Sequence, residues 1–457
     1  MRSIAQAALA AAALVTGLGG CGDFLTGPKL QDDPNNPTQT TNASLFIAVQ
    51  TNVGFLQEAN LARTVCVFMD QCSAQGTFAN YGTYQVITDG DAWYNDWAKF
   101  YGGGGLIDLR TLQASALSPS VGDSLYAGIA AVMEAWLMGV AADIWGDVPY
   151  DEAADPAVFP QPAQDTQAEV YAHVQAKLDS AIGFMAAAGP TNIGPVGNDA
   201  VYGGDPAPWT ALAHTLKARF YLHTAEQVGT TAYQAALAEA LQGVAAGGDY
   251  LTQHTSDVTA SNIWFQFTST QAPDYIAAGK FLVDQLVNTA DPRLEAYYAP
   301  LANGSFVGAA PGQQLSASGV STFAPTRVAA DFQQPLVTAA ENDLIVAEAS
   351  FQTGDQGTAL TRLESARASA GLAPLSPAPS GPALLEAILT EKYIQLFQNI
   401  EVWNDYKRTC LPLLSPYVGS TGIPSRLPIP ATERAVNASV TDPGPTARNG
   451  NDPIPCP

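Results

Sequence analysis

Positive charge is scarce in this sequence. Lysine and arginine total 19 against 42 aspartates and glutamates, a formal net charge of −23. So few cations cannot neutralise a run of phosphates, which argues against nucleic acid as a partner, and basic patches for anionic lipid are missing too. Histidine is just as sparse, with only His173, His214, His223 and His254. His214 and His223 are nine positions apart on one predicted helix. At about 100° per residue they face opposite ways and cannot share a metal. No nucleophile elbow, phosphate loop or zinc motif is present. The acidic pairs Asp143/Asp147 and Asp151/Glu152 flank a turn, where capping and turn chemistry recruit acids without any catalytic need. The expectation is a protein that is not an enzyme and holds neither metal nor cofactor.

Long apolar runs are also few. The first, Ile4 to Leu18, follows Arg2 and ends at Leu18-Gly19-Gly20-Cys21. A short basic end, an apolar stretch and a small-residue cleavage site make residues 1–20 a secretory signal. Cys21 after Leu-Gly-Gly resembles the bacterial lipobox, in which that cysteine becomes the lipidated first residue. Residues 21–43, with Pro28, Pro34 and Pro37 among Asn and Asp, read as an extended tether. Of five cysteines, four remain after Cys21, and export makes disulfides the expected state. Three pairings are possible. Cys66–Cys72 with Cys410–Cys456 is the expected one, the second pinning a Pro-rich tail. No CxxC is present to suggest metal instead.

The second long apolar run, Leu125 to Trp145, carries Glu134 in its middle and Asp143 near its end. Charge at those depths opposes a membrane span. Recurrent Ala and Gly suit a core helix that neighbours approach closely, closed by Gly146 and Pro149. Hydrophobic content of 47% with 9% aromatics supports a real core. Other helical stripes run over Ser44–Leu61, Asp91–Leu112, Thr166–Ala188, Trp209–Val228 and Ala232–Ala246, then Leu336–Thr353, Gln356–Gly371, Pro382–Gln398 and Glu401–Lys407. They fall into about four antiparallel pairs. The reading is mainly α, with tetratricopeptide-like repeats lacking a strict period. Residues 249–330 form a loop-rich insertion with a few short strands, Ile263–Phe267 among them.

Several stretches are similar to those of SusD/RagB-like outer-membrane lipoproteins. They are Gly22-Asp23-Phe24-Leu25 after Cys21; Ala142–Ala153 (ADIWGDVPYDEA); Leu216–Phe220 (LKARF); Asp291–Leu294 (DPRL); Glu341–Ala349 (ENDLIVAEA) with its partner Ala359–Leu372; Glu391-Lys392-Tyr393 through Glu401–Thr409; and Arg426-Leu427-Pro428-Ile429-Pro430 with Glu433 and Asn437. The resemblance covers most of the chain. It implies one repeat domain over residues 44–457 and a surface protein, anchored to the outer membrane through its lipid. Such a protein captures a nutrient, commonly a glycan and in some members a peptide, and delivers it to a SusC-like TonB-dependent barrel as that barrel's lid. A repeat scaffold without a small ligand, or a lipoprotein enzyme acting on sugars, are the competing readings.

A glycan would stack its C–H faces on aromatic rings and bond its hydroxyls to amides. Loops are where such rings usually sit. Candidate platforms are Tyr81, Tyr84, Trp93 and Trp264, with Asn80 and Asn95 as polar partners. Trp93 also belongs to a stripe with Trp97, Phe100 and Tyr101 at helical spacing, for which a core role is the simpler explanation. Glu401, Asp405 and Arg408 are expected to form an ion-pair lattice around Trp403.

Overall fold

The computed structural model describes residues 40–444, 446–452 and 455–456. The expected signal, the expected lipidation site at Cys21 and nearly all of the expected tether lie outside the described residues. The apolar run that tempts a membrane assignment is helix α5, and its surroundings depend on the helices before it. These are α1 (Asn42–Glu58), α2 (Asn60–Phe68), α3 (Tyr94–Tyr101), α4 (Leu106–Ala116) and α5 (Ser124–Trp145). Every residue of α5 from Leu125 onward is buried. It is therefore the central post of the fold, walled by α1 and α4 on one side and by α6 (Gln167–Ala186) and α7 (Pro206–His223) on the other. Asp123 caps it by accepting from the Leu125 and Tyr126 N–H groups, and Gly146 ends it at φ 81°. Glu134, at its centre, is held by Arg110 at 3.4 Å, Lys177 at 3.3 Å and the Tyr150 hydroxyl at 3.1 Å.

Small residues on α5 set how closely its neighbours pack. A Cβ on Gly139 would sit 2.1 Å from Phe220 Cζ of α7, and one on Gly128 would sit 2.7 Å from Met185 Cγ of α6. Gly139→Ala should therefore destabilise the protein by roughly 1–3 kcal/mol, the usual cost of overpacking, despite alanine's better helix propensity. A urea midpoint shifted downward at unchanged slope is the expected result, and an unchanged midpoint would mean that Phe220 has room to move.

Four helix pairs follow the expected order. α5 packs on α6, α7 on α8 (Thr230–Ala240), α10 (Ala339–Gln352) on α11 (Gln356–Ser369), and α12 (Pro382–Gln395) on α13 (Glu401–Thr409). Their starts are encoded locally. Thr166 and Glu169 form a reciprocal capping box on α6, Asp205 caps α7 ahead of Pro206, and Thr338 and Asp355 cap α10 and α11. Between the second and third pairs lies the irregular region with strands β2 (Tyr250–Leu251), β3 (Ile276–Ala278) and β4 (Pro335–Val337), and helix α9 (Lys280–Asn288). Strand β2 pairs with β4, and β3 pairs antiparallel with β1 (Cys72–Ala74) from the beginning of the fold.

Three expectations need correction. Asp91–Leu112 is two helices, because Gly102–Gly105 breaks it: Gly103 and Gly104 take φ of 55° and 88°, and a Cβ on Gly105 would lie 2.4 Å from the Lys99 carbonyl oxygen. The stripe from Ser44 to Leu61 is likewise split at Ala59 into α1 and α2. Ile263–Phe267 is no strand. Asn262 accepts from the Trp264 and Phe265 N–H groups, so the segment starts a short helix, Ile263–Gln266, that widens into a π turn at Phe267–Gln271.

Candidate ligand-binding site

The pairing of β1 with β3 aligns Cys72 with Ala278 and Ala74 with Ile276. It continues one step further, where the Gln75 N–H donates to the Tyr275 carbonyl at 2.8 Å. The two chains leave this small sheet side by side and carry aromatic residues with them. Gly76, at φ 53°, turns the chain into Phe78. The Phe78 ring stacks on Tyr81 with centroids 4.8 Å apart and 12° between planes, and Tyr275 lies 5.4 Å from Phe78. All three rings are half-buried. Phe267 backs them, 5.5 Å from Phe78, with the Arg63 guanidinium 4.3 Å over its own ring. A third loop locks the arrangement: Gln314 accepts from the Gly76 N–H at 2.8 Å and donates to the Ala74 carbonyl at 2.9 Å.

Two buried ionisable groups, Asp96 and Arg63, lie near these rings. Burial pushes the Asp96 carboxyl above the ordinary carboxylate range and lowers the Arg63 guanidinium to about 10. Burial, and secondarily Asp96, raises the Tyr81 phenol, so at neutral pH it is an uncharged hydrogen-bond donor. A flat aromatic pair with a hydroxyl at its edge can stack an apolar ring face and bond the groups around it.

The structure distributes the sequence-chosen residues unevenly. Tyr81 lies in the aromatic cluster, and Asn80 beside it and Asn95 on α3 are exposed. The other three rings are interior. Tyr84, 4% exposed, is held at φ 60° with its ring edge-on to Phe68. Trp93, 1% exposed, donates its Nε1–H to the Thr64 hydroxyl at 3.3 Å. Trp264 is fully buried and edge-on to Phe323. None of the three offers a face to a ligand, because each fills the core where its element turns inward. Phe78 and Tyr275 were not singled out from the sequence. Their only local signal is an aromatic residue next to a turn, and what brings them together is a strand pairing across some 200 residues of chain.

A second cluster, buried in the core, gathers two carboxylates around a histidine. Asp143 of α5, His223 of α7 and Glu401 of α13 bring their ligand atoms within 4.8 Å of one another. The histidine is the bridge: Nδ1 lies 2.7 Å from Asp143 Oδ1, and Nε2 lies 2.7 Å from Glu401 Oε1. Each ring nitrogen thus lies within 2.7 Å of its own carboxylate. The two carboxylates outweigh desolvation and raise the imidazole to about 9, so it is an imidazolium at neutral pH. Tyr171 donates to Asp143, and Asn404 donates to Asp143 and Glu401 at 3.1 and 2.9 Å.

The lattice continues outward through wholly buried residues. Arg219 holds Glu341 with two 2.8 Å bonds, Lys392 reaches Asp405 at 2.9 Å, and Arg408 grips Glu348 and Asp405. Lys407 places its ammonium 4.4 Å over the Trp403 ring. The ion pairs expected around Trp403 are present, and they clamp the helix pairs to one another. Two disulfides complete the frame: Cys66–Cys72 fastens α2 to β1, and Cys410–Cys456 fastens the end of α13 to the tail, each with 5.1 Å between Cα atoms.

Paired helices that carry loop-borne aromatic rings at one end of a small sheet define a helical-repeat binding fold. A family model described as starch-binding and associating with the outer membrane matches residues 34–430, and the chain belongs to this SusD-like family. Glycan binding is accordingly its family-level activity. The fold is shared with solved structures of low sequence identity. A chitin-binding protein superposes with a TM-score of 0.74 at 21% identity, over 91% of this chain and 100% of its own. A SusD/RagB family protein from Bacteroides thetaiotaomicron gives 0.74 at 19%, over 91% and 99%. A chitin-binding SusD homologue from Flavobacterium johnsoniae gives 0.72 at 17%, over 91% and 98%. No curated protein matches the chain.

Proposed function

We propose that this protein is a surface lipoprotein of the outer membrane, anchored through Cys21, that captures an oligosaccharide and passes it to a TonB-dependent barrel for which it serves as the lid. The observation that carries the binding part is the stacked pair Phe78 and Tyr81 beside Tyr275, presented where three loops converge. The scarcity of cations supports a neutral ligand over an anionic one. Two relatives of the same fold are described as chitin-binding, which supports a glycan over a peptide. Delivery rests on family kinship and on the lipobox at Cys21.

The binding reading predicts that Tyr81→Ala weakens oligosaccharide affinity by about tenfold to a hundredfold, the range for losing a central aromatic anchor. Isothermal titration with chito- and malto-oligosaccharides checks it, with the melting temperature as the control for folding. Affinity that survives the loss of both Tyr81 and Phe78 would move the site elsewhere. The delivery reading is tested separately, by pull-down of the intact lipoprotein from gently solubilised outer membranes: a barrel recovered in equal amount supports it, and a preparation free of any barrel refutes it.

A further inference from the structure

A second concavity lies apart from the aromatic cluster. One face of α1 supplies Gln50, Thr51, Gly54, Phe55 and Glu58, positions spaced to share a side of the helix. Opposite them run β2 and the loop that leads into the short helix Ile263–Gln266, and together they enclose about 280 Å³. Gly54 makes the space, since a Cβ there would already stand 3.2 Å from Thr252 Cγ2.

The floor of this pocket is a fixed polar constellation. Glu58, 3% exposed, accepts from the Thr252 hydroxyl at 2.9 Å and faces His254 Nε2 at 3.0 Å. Against desolvation, hydrogen bonding and charge from Glu58 raise the His254 imidazole, and the two side chains pair with each other across 3.0 Å. Gln50 is held from behind, donating to Asp199 at 2.7 Å and accepting from the Ala200 N–H at 3.0 Å. Gln266 spends its amide N–H on the Ser261 carbonyl at 2.8 Å, and its Oε1 takes no donor among the described residues. The Thr51 hydroxyl at the rim likewise makes no bond within the described protein. Phe55 and Ile263 supply apolar wall.

A pocket of this size sits at the small end of the range for organic ligands. A ligand that fits must be compact and neutral, must bring hydroxyl donors to Gln266 and Glu58, and must present a C–H surface to Phe55. We infer that this pocket is a second binding site, which takes one neutral, polyhydroxylated ring: a single sugar unit, free or at the end of a chain. It is independent of the aromatic cluster in its residues, yet joined to it, because Gln266 is followed directly by Phe267, whose ring supports Phe78. The short helix Ile263–Gln266 therefore lines the pocket, and the π turn that continues it backs the platform.

The test titrates the full mature chain with glucose, N-acetylglucosamine, galactose and arabinose, followed by saturation-transfer NMR and calorimetry. At least one of these sugars should bind one-to-one. Thr51→Trp places an indole across the mouth at an exposed position and should weaken that binding at least about tenfold. Tyr81→Ala should leave it unchanged while weakening the oligosaccharide. The inference is overturned if none of the four sugars binds below about 10 mM, or if Thr51→Trp, with an unaltered melting temperature, binds as the parent does. Monosaccharide binding that disappears with Tyr81→Ala instead would assign it to the aromatic cluster and overturn the second site. Loss of oligosaccharide affinity in none of the variants would count against the platform alone.

Discussion

Arg408→Met should lower the stability of this protein by roughly 3–5 kcal/mol, the cost of stripping one partner from a buried ion pair. Arg408 lies on α13 and is wholly buried, with Glu348 of α10 and Asp405 of its own helix as its two anionic partners. Methionine fills most of the volume, so the loss comes from two carboxylates left in the interior with less compensation rather than from a cavity. Lys392, 2.9 Å from Asp405, still covers one of them, and Glu348 takes the larger share of the damage. Adding Glu348→Gln to Arg408→Met should then recover part of the stability, although Glu348→Gln alone is destabilising. A double-mutant cycle by urea unfolding measures this directly. A loss below about 1 kcal/mol for Arg408→Met would mean that water reaches the pair, as it does for surface salt bridges.

The His223 bridge carries the second large effect, and its sign follows from linkage. Its folded pKa, about 9, lies above the ordinary histidine value near 6.5. The folded state therefore holds a proton that the unfolded state releases in the interval between them. The bridge contributes fully below about pH 6.5 and fades as pH rises through about 9, a change of roughly 3 kcal/mol. Asp70, whose buried carboxyl is raised to about 8, adds a loss of the same sign beginning at lower pH. The quantity to compare is therefore the difference between the parent and His223→Gln. The variant should be less stable by several kcal/mol at about pH 6 and close to the parent at about pH 10. Parallel stability curves across that range would show that the imidazole is neutral and that the carboxylates find their charge balance elsewhere, for example in Arg219.

The legibility of this chain divides along a physical line. Helix pairs were readable because their signals are local: apolar spacing, Thr166 with Glu169, Pro206 after Asp205, and Gly146 at the end of α5. Composition also distinguished a buried α5 from a membrane span, since Glu134 needs cations that only neighbouring helices supply. The helix breaks were missed where packing decides. Gly102–Gly105 lies inside what reads as one helix, but it lets the chain pass close to Ala48 in α1. Of the three rings in the aromatic cluster, the sequence singled out one, Tyr81. Trp93 carried a helical-spacing signal for the core, but Tyr81 and Tyr84 stand three residues apart in one loop segment, and tertiary burial alone separates them. Phe78 and Tyr275 became neighbours only through a strand pairing that no local pattern announces. Within the charged lattice, Glu401, Asp405 and Arg408 were visible as a group on one helix. Glu348 and His223 entered from helices that sequence order leaves far away.

The bonds that run from the last part of the chain back to α5 also have a meaning in time. The Trp145 carbonyl receives Arg426, 281 residues downstream, and the Asp143 carbonyl receives Asn449, 306 residues downstream. Ribosomes add about 5–20 residues per second, so the first of these partners arrives roughly 15–60 s after the helix it completes. Throughout that interval this long apolar helix lacks two of the partners at its end. Local helices can form and fray during this wait, but the cooperative core cannot close until residues 426–449 have been made, as expected for a structure governed by distant contacts. Completion of the end of α5 therefore waits for nearly the whole chain to be made.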